Sequence, residues 1–160
     1  MRHTLRLVGA LLAAMAIEQG AEPARSFAAV VHPSNPVHDM RWRDLTALFD
    51  GVNRRWSDGT PVVLVERDAG SPPYQYLMEH LLNTTPGEYR RRLQNIEYRG
   101  DAPVPIKTLN SDAAACQFVF NVPSAIAIIE ADSLALAPCS DVHVLRIDGK
   151  LPGDEGYRLK

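Results

Sequence analysis

The sequence predicts a single α/β domain of three-layer type, with helices packed on a mostly parallel or mixed sheet. Three observations carry this expectation. Short apolar, β-branched runs alternate with segments whose apolar residues recur at helical spacing. The connections are short and marked by proline, glycine, asparagine and aspartate, with no repeat, low-complexity run or linker to divide the chain. Its 160 residues suffice for one sizeable core, and 46% hydrophobic with 22% charged residues is an ordinary globular balance.

The first residues stand apart from this domain. Arg2, His3 and Arg6 accompany an apolar stretch, "LRLVGALLAAMAI", and no acid appears before Glu18. A basic start and a short apolar run read as a secretory signal over residues 1–21, too short for a membrane span. Ala14-Met15-Ala16 offers one small-x-small cleavage site and Gly20-Ala21 a later one, so cleavage falls after Ala16 or Ala21. An uncleaved apolar helix is the alternative.

The elements of the domain, residues 26–149, follow in order. "SFAAVVH" is an apolar run closed by Pro33 and Pro36, hence a buried strand and a loop. Met40, Leu45, Leu48 and Phe49 fall at helical spacing, and Gly51 stands where a helix C-cap belongs. Asp58-Gly59 marks a turn before "PVVLVE", residues 61–66, a second buried strand. Tyr74, Leu77, Met78, Leu81 and Leu82 trace one face of a helix from about 72 to 82. Thr85, Pro86 and Glu88 form a capping box with proline in the first turn, opening a helix to about Tyr98. Residues 99–109 read as extended and proline-marked. Ser111 caps a helix that the Asn121-Val122-Pro123 break ends. "SAIAIIEA" is a buried strand, and "VHVLRIDG" alternates and closes on Asp148-Gly149. Residues 150–160 read as a loose polar tail in which Tyr157 and Leu159 are the groups able to dock.

Charge limits the partners. Seventeen basic and nineteen acidic residues give a net charge of −2, so no global field recruits nucleic acid, and any anion site must be local. Cleavage after Ala16 would leave fifteen basic residues against nineteen acidic, a net charge of −4. Cys116 and Cys139 can form one disulfide in an oxidising compartment or stay as buried thiols. They match no zinc spacing, the five histidines show no metal motif, and no cofactor signature is present.

The order "VVHPSNPV", "LTALFDG…RRWSDGTPVVLVERD", a Gly-Ser turn opening a helix, then "VPSAIAII" resembles the solute-binding proteins of phosphate ABC transporters. The resemblance covers roughly residues 28–148 and matches mainly the second of that family's two lobes. It implies a type II periplasmic binding fold, a periplasmic location and a membrane transporter as partner. In that family a Ser-Gly-Thr turn after the strand holds phosphate. This chain has Gly70, Ser71 and Pro72 there, and the first lobe's binding turn has no counterpart.

That turn supports two readings. Unpaired N–H groups and the positive end of a helix dipole can hold an anion, with Arg67 lending charge, so Arg67, Gly70 and Ser71 are the candidate ligand-binding residues. Pro72 and Pro73, however, remove two donors, and a serine before proline is also an ordinary helix start. Arg54 and Arg55 beside Trp56, and the run Arg90–Arg92, read as solvated faces rather than anion sites. His38 with Asp39, and His80 with Glu79, are thinner acid–base candidates. Ser71 lies in no nucleophile elbow, so no enzyme is expected. The functional expectation is a periplasmic module for a small anionic solute, phosphate first. The alternative is an interaction or regulatory module that kept the fold and lost the ligand, acting through a membrane sensor, a transporter or a homodimer.

Overall fold

The computed structural model describes residues 24–160. The expected signal segment, residues 1–21, lies outside the described residues. Five strands form the main sheet: β1 (Phe27–Val31), β3 (Val63–Arg67), β4 (Ile106–Leu109), β5 (Ala125–Glu130) and β6 (His143–Val144), in the order β4-β3-β5-β1-β6. β3 runs parallel to β4 and β5, whereas β1 is antiparallel to β5 and β6, so the sheet is mixed.

Both faces of the sheet are covered, which is why β1 and β5 are continuous apolar runs rather than alternating ones. On one face Ala29, Val31, Leu64, Ile126 and Ile128 meet α1 (Trp42–Phe49), α2 (Pro72–Tyr76) and Tyr89 of α3 (Pro86–Tyr98). On the other, Ala28, Val30, Val65, Ala127 and Ile129 meet Ala115, Cys116 and Val119 of α4 (Asp112–Asn121). Three layers result. Each fully buried Leu, Ile or Val contributes about 1.5–3 kcal/mol, so these two clusters hold the sheet in place.

Local chemistry starts and stops the helices. Thr85 accepts from the Glu88 N–H while the Glu88 carboxylate accepts from the Thr85 N–H, the expected capping box. Ser111 accepts from the Ala114 N–H. Gly51 closes α1 at φ +73°, a left-handed conformation that favours glycine, and its α-carbon packs close to the side chains of Ile96, Leu93 and Val104.

Four features differ from the sequence expectations. Met40 belongs not to α1 but to β2 (Asp39–Met40), which pairs in parallel with β7 (Arg146–Ile147). The first N–H of α1, on Trp42, is then taken by Asp148 Oδ1 at 3.1 Å, a cap supplied from 106 residues away. The helix after Pro72 widens to a π-helical turn over Leu77–Leu81, where the Leu82 N–H reaches the Leu77 carbonyl; this brings Leu77, Met78, Leu81 and Leu82 all into the core. "VHVLRIDG" is not one strand: it divides between β6 and β7 and so links the two sheets.

The fourth correction is the tail. Residues 150–160 are part of the domain, with Tyr157 and Leu159 fully buried. The Tyr157 hydroxyl donates to the Phe27 carbonyl, and the Phe27 N–H donates to the Leu159 carbonyl at 2.7 Å. Polar composition misleads here because two large side chains at i and i+2 are enough to anchor so short a segment.

Cys116 and Cys139 are joined, tying α4 to a 3₁₀ turn, Cys139–Asp141, across a sequence separation of 23. Closing a loop of that size constrains the unfolded chain by about 3 kcal/mol.

Candidate functional site

The candidate turn lies at the carboxyl ends of the parallel strands β3 and β4. Asp68 extends β3 by donating its N–H to the Leu109 carbonyl, and the chain then turns through Ala69 and Gly70 into α2. Open sheets of this kind take ligands at this edge, so the location suits a binding site.

Ser71 is 5% exposed, and its hydrogen bonds are directed inward. Its N–H and its hydroxyl both donate to the Asp68 carbonyl, at 2.9 and 2.7 Å. The Ser71 hydroxyl oxygen in turn accepts from the Tyr74 N–H. The hydroxyl proton is therefore used in the turn itself. Pro72 and Pro73 supply no N–H, leaving Gly70 as the exposed donor of the predicted set. A Cβ added at Gly70 would meet nothing within 4 Å, so the space above it is open.

Arg67 does not face this opening. Strand alternation turns its side chain to the α4 side, where it is 10% exposed. There its guanidinium pairs with Asp112 in the first turn of α4, reaches Asp68 at 3.3 Å and donates to the Asn110 carbonyl at 3.2 Å. Its Nε is buried without a partner. Asp112 in turn accepts from the Glu130 N–H at 3.1 Å and from the Ser133 hydroxyl at 2.7 Å through its other oxygen. A protein carboxylate thus occupies the arginine expected to serve an external anion. The three predicted residues are brought to one edge of the sheet, but Arg67 and Ser71 are directed into the protein.

On the opposite face of β3 the structure reveals a group that sequence reasoning passed over. Glu66 is buried beneath α3, with Oε1 2.6 Å from the Tyr89 hydroxyl, which also lies 3.0 Å from the Phe49 carbonyl. Tyr89 has one proton and Phe49 offers only an acceptor. Both bonds form together only when Glu66 carries its own proton and donates it to Tyr89. Burial pushes the Glu66 carboxyl above its ordinary value, against the opposing effect of the Tyr89 hydrogen bond. Burial likewise pushes Tyr89 upward.

A raised folded-state value sets the sign of the pH dependence. The contribution of Glu66 to stability is complete below its unfolded value, near 4.5, and is lost as pH rises through the folded one. Glu66→Gln, which keeps a donor for Tyr89 and never ionises, is expected to abolish that decline. Urea unfolding from pH 4.5 to 8 should show a higher midpoint for the variant at neutral pH; parallel curves for the two proteins would refute the protonated assignment.

The remaining sequence candidates have local roles. The Trp56 indole is buried and donates to the Ser124 carbonyl, while Arg54 and Arg55 donate to the carbonyls of Ala102 and Gly59. Arg92 contacts Asp50 and donates to Thr84. His80 stacks on Tyr76 at 5.1 Å, and Asp39 accepts from the Gly149 N–H rather than serving His38. One open hollow, of about 700 Å³, is not at the turn. It lies beside α1, bordered by Asp39, Arg41, Asp44, Arg55 and Trp56, and its Arg41 and Asp44 are paired with each other at 2.8 Å.

No protein-family model matches the chain, and no curated protein matches it in sequence. Solved structures do. PstS from Borrelia burgdorferi superimposes with a TM-score of 0.67 at 13% identity, over 84% of this chain and 54% of that one. An ABC-type phosphate transport receptor from Vibrio cholerae gives 0.63 at 19% identity, over 84% and 53%. A Clostridium perfringens protein solved with bound phosphate, and described as a phosphate ABC transporter substrate-binding protein, gives 0.61 at 18%, over 79% and 46%. The fold is that of one periplasmic-binding-protein lobe. The chain spans about half the length of these structures, as the resemblance in its motifs implied. No helix among the described residues is long and apolar enough to cross a membrane.

Proposed function

We propose that the chain is an exported, non-enzymatic binding module for a small oxyanion, phosphate first, held at the Gly70–Ser71 turn. The observation that carries this reading is positional. In a fold shared with phosphate-binding proteins, the turn sits at the carboxyl edge of a parallel strand pair, with open space above Gly70. The Cys116–Cys139 disulfide supports an oxidising, extracytoplasmic location, and the apolar stretch before residue 21 supplies the export signal. The Ser71 hydroxyl, bound to the Asp68 carbonyl, is not presented as a nucleophile. One lobe makes half a cleft, so a second copy or a membrane transporter or sensor completes it.

A second reading is favoured by one observation, the Arg67–Asp112 pair. With its guanidinium held by two carboxylates, the edge offers an incoming anion little positive charge. In this reading the module keeps the fold and acts through a protein partner.

Titration calorimetry with inorganic phosphate at low salt separates the two. The solute-binding reading expects saturable heat that Ser71→Ala weakens, and that Asp112→Asn strengthens by releasing Arg67. Circular dichroism checks that both variants stay folded. No heat from the unmodified protein at millimolar phosphate, with heat gained in Asp112→Asn, would overturn the first reading and favour the second.

A further inference from the structure

One row of the main sheet runs Ile106, Leu64, Ile126, Val31 and His143, in register across five strands. It is apolar until the edge strand, where it ends on an imidazole. His143 Nε2 there lies 3.0 Å from His38 Nδ1, with the two rings at 90° and their centroids 4.7 Å apart. The two residues are 105 apart in the chain, and neither has a partner at motif spacing.

The backbone holds both rings in place. His143 is fixed by pairing with Val31 of β1. His38 precedes β2, and its carbonyl accepts from the Arg146 N–H at 3.0 Å. The segment 143–147 therefore serves as the common template for both imidazoles, paired with β1 at one end and β2 at the other.

We propose that His38 and His143 form a two-imidazole site for a divalent transition ion of square-planar preference, copper(II) first and nickel(II) second. Imidazole nitrogens bind such ions at about 2.0–2.1 Å, so a cis pair at a right angle stands about 2.9 Å apart and a tetrahedral pair about 3.3 Å apart. The observed 3.0 Å matches the right-angled arrangement. His38 binds through Nδ1 and His143 through Nε2, and the proton that bridges them moves to the outer nitrogen of its own ring. The ion replaces that hydrogen bond without net loss of a proton from the neutral pair. His38 is exposed and His143 half-buried, so the ion has an entry path. No third His, Cys, Asp or Glu completes a cluster among the described residues, which leaves two equatorial positions for water or an anionic solute.

The test is titration of the full chain with copper(II) in a non-coordinating buffer, followed by calorimetry and electron paramagnetic resonance. Every protein compared carries His3→Ala, so that the first residues add no competing imidazole. The expected result is one equivalent bound, with a tetragonal spectrum split by two equatorial nitrogens. His38→Ala, at an exposed position, should weaken binding about a hundredfold or more, beyond the loss of an outer-shell partner. His143→Ala should do the same, with its fold checked by circular dichroism. Absence of saturable binding, or binding unchanged in His38→Ala, would overturn the proposal.

Discussion

Asp112→Ala is expected to destabilise the folded chain by about 3–5 kcal/mol, the cost of leaving a buried charge without its partner. Asp112 is 11% exposed and Arg67 10%, so solvent screens the pair little. One carboxylate oxygen takes the Arg67 guanidinium, and the other takes the Glu130 N–H and the Ser133 hydroxyl. The end of β3, the end of β5 and the following turn are all fastened to the first residue of α4. Arg67 Nε already lacks a partner, so losing Asp112 leaves the guanidinium further short of acceptors. Replacing both charges, in Arg67→Met/Asp112→Ala, should cost less than Asp112→Ala alone, because the uncompensated cation is gone. Urea unfolding of the four proteins of this cycle measures the coupling. A cost below about 1 kcal/mol for Asp112→Ala would mean that the pair behaves as an exposed one. Arg67 would then be free to turn toward Gly70, which strengthens the phosphate reading.

This coupling explains why the candidate site was only partly legible in the sequence. The position of the turn was legible, because a β-branched run, Gly70-Ser71 and the apolar face of a helix follow one another within residues 61–82. The direction of Arg67 was not. Alternation along β3 puts it on the face of Val65, but which helix covers that face, and that its first residue is an acid, depends on a contact 45 residues away. Asp112 by itself reads as a favourable charge in a first helical turn. Glu66 carried a faint signal, an acid directly after a run of buried β-branched residues, and strand alternation alone would have placed it on the same buried face as Leu64. His38 and His143 carried none, since no local spacing connects them.

The fold was more accessible for the same physical reason. β1, β3 and β5 are buried on both faces and so appear as plain apolar runs, and the capping box at Thr85 and Glu88 is local chemistry. The two-residue strands β2 and β7 have no periodicity to display. Their pairing, and the capping of α1 by Asp148, arise only when distant segments meet.

Tyr157→Ala carries the second large expected effect, about 3–5 kcal/mol, the range for emptying a buried aromatic site. Tyr157 is 1% exposed and Leu159 is fully buried, although both lie in the last four residues of the chain. The segment also caps the start of β1 through the Phe27 N–H and accepts the Tyr76 hydroxyl on the Arg158 carbonyl. The Arg158 guanidinium sits 4.3 Å above the Trp42 ring at the start of α1. The tail thus joins β1, α1 and α2, and α2 is the helix that opens from the candidate turn. Tyr157→Phe separates packing from hydrogen bonding, since it removes only the donor to the Phe27 carbonyl and should cost about 0.5–1.5 kcal/mol. Thermal and urea unfolding of both variants check the difference. If Tyr157→Ala cost no more than Tyr157→Phe, the ring would contribute nothing to the core and the tail would be the loose segment its composition suggested. If the expected gap is found, hydrogen exchange at Tyr74–Leu77 should also quicken in Tyr157→Ala, because the support that the tail gives to α2 through Tyr76 is lost with it.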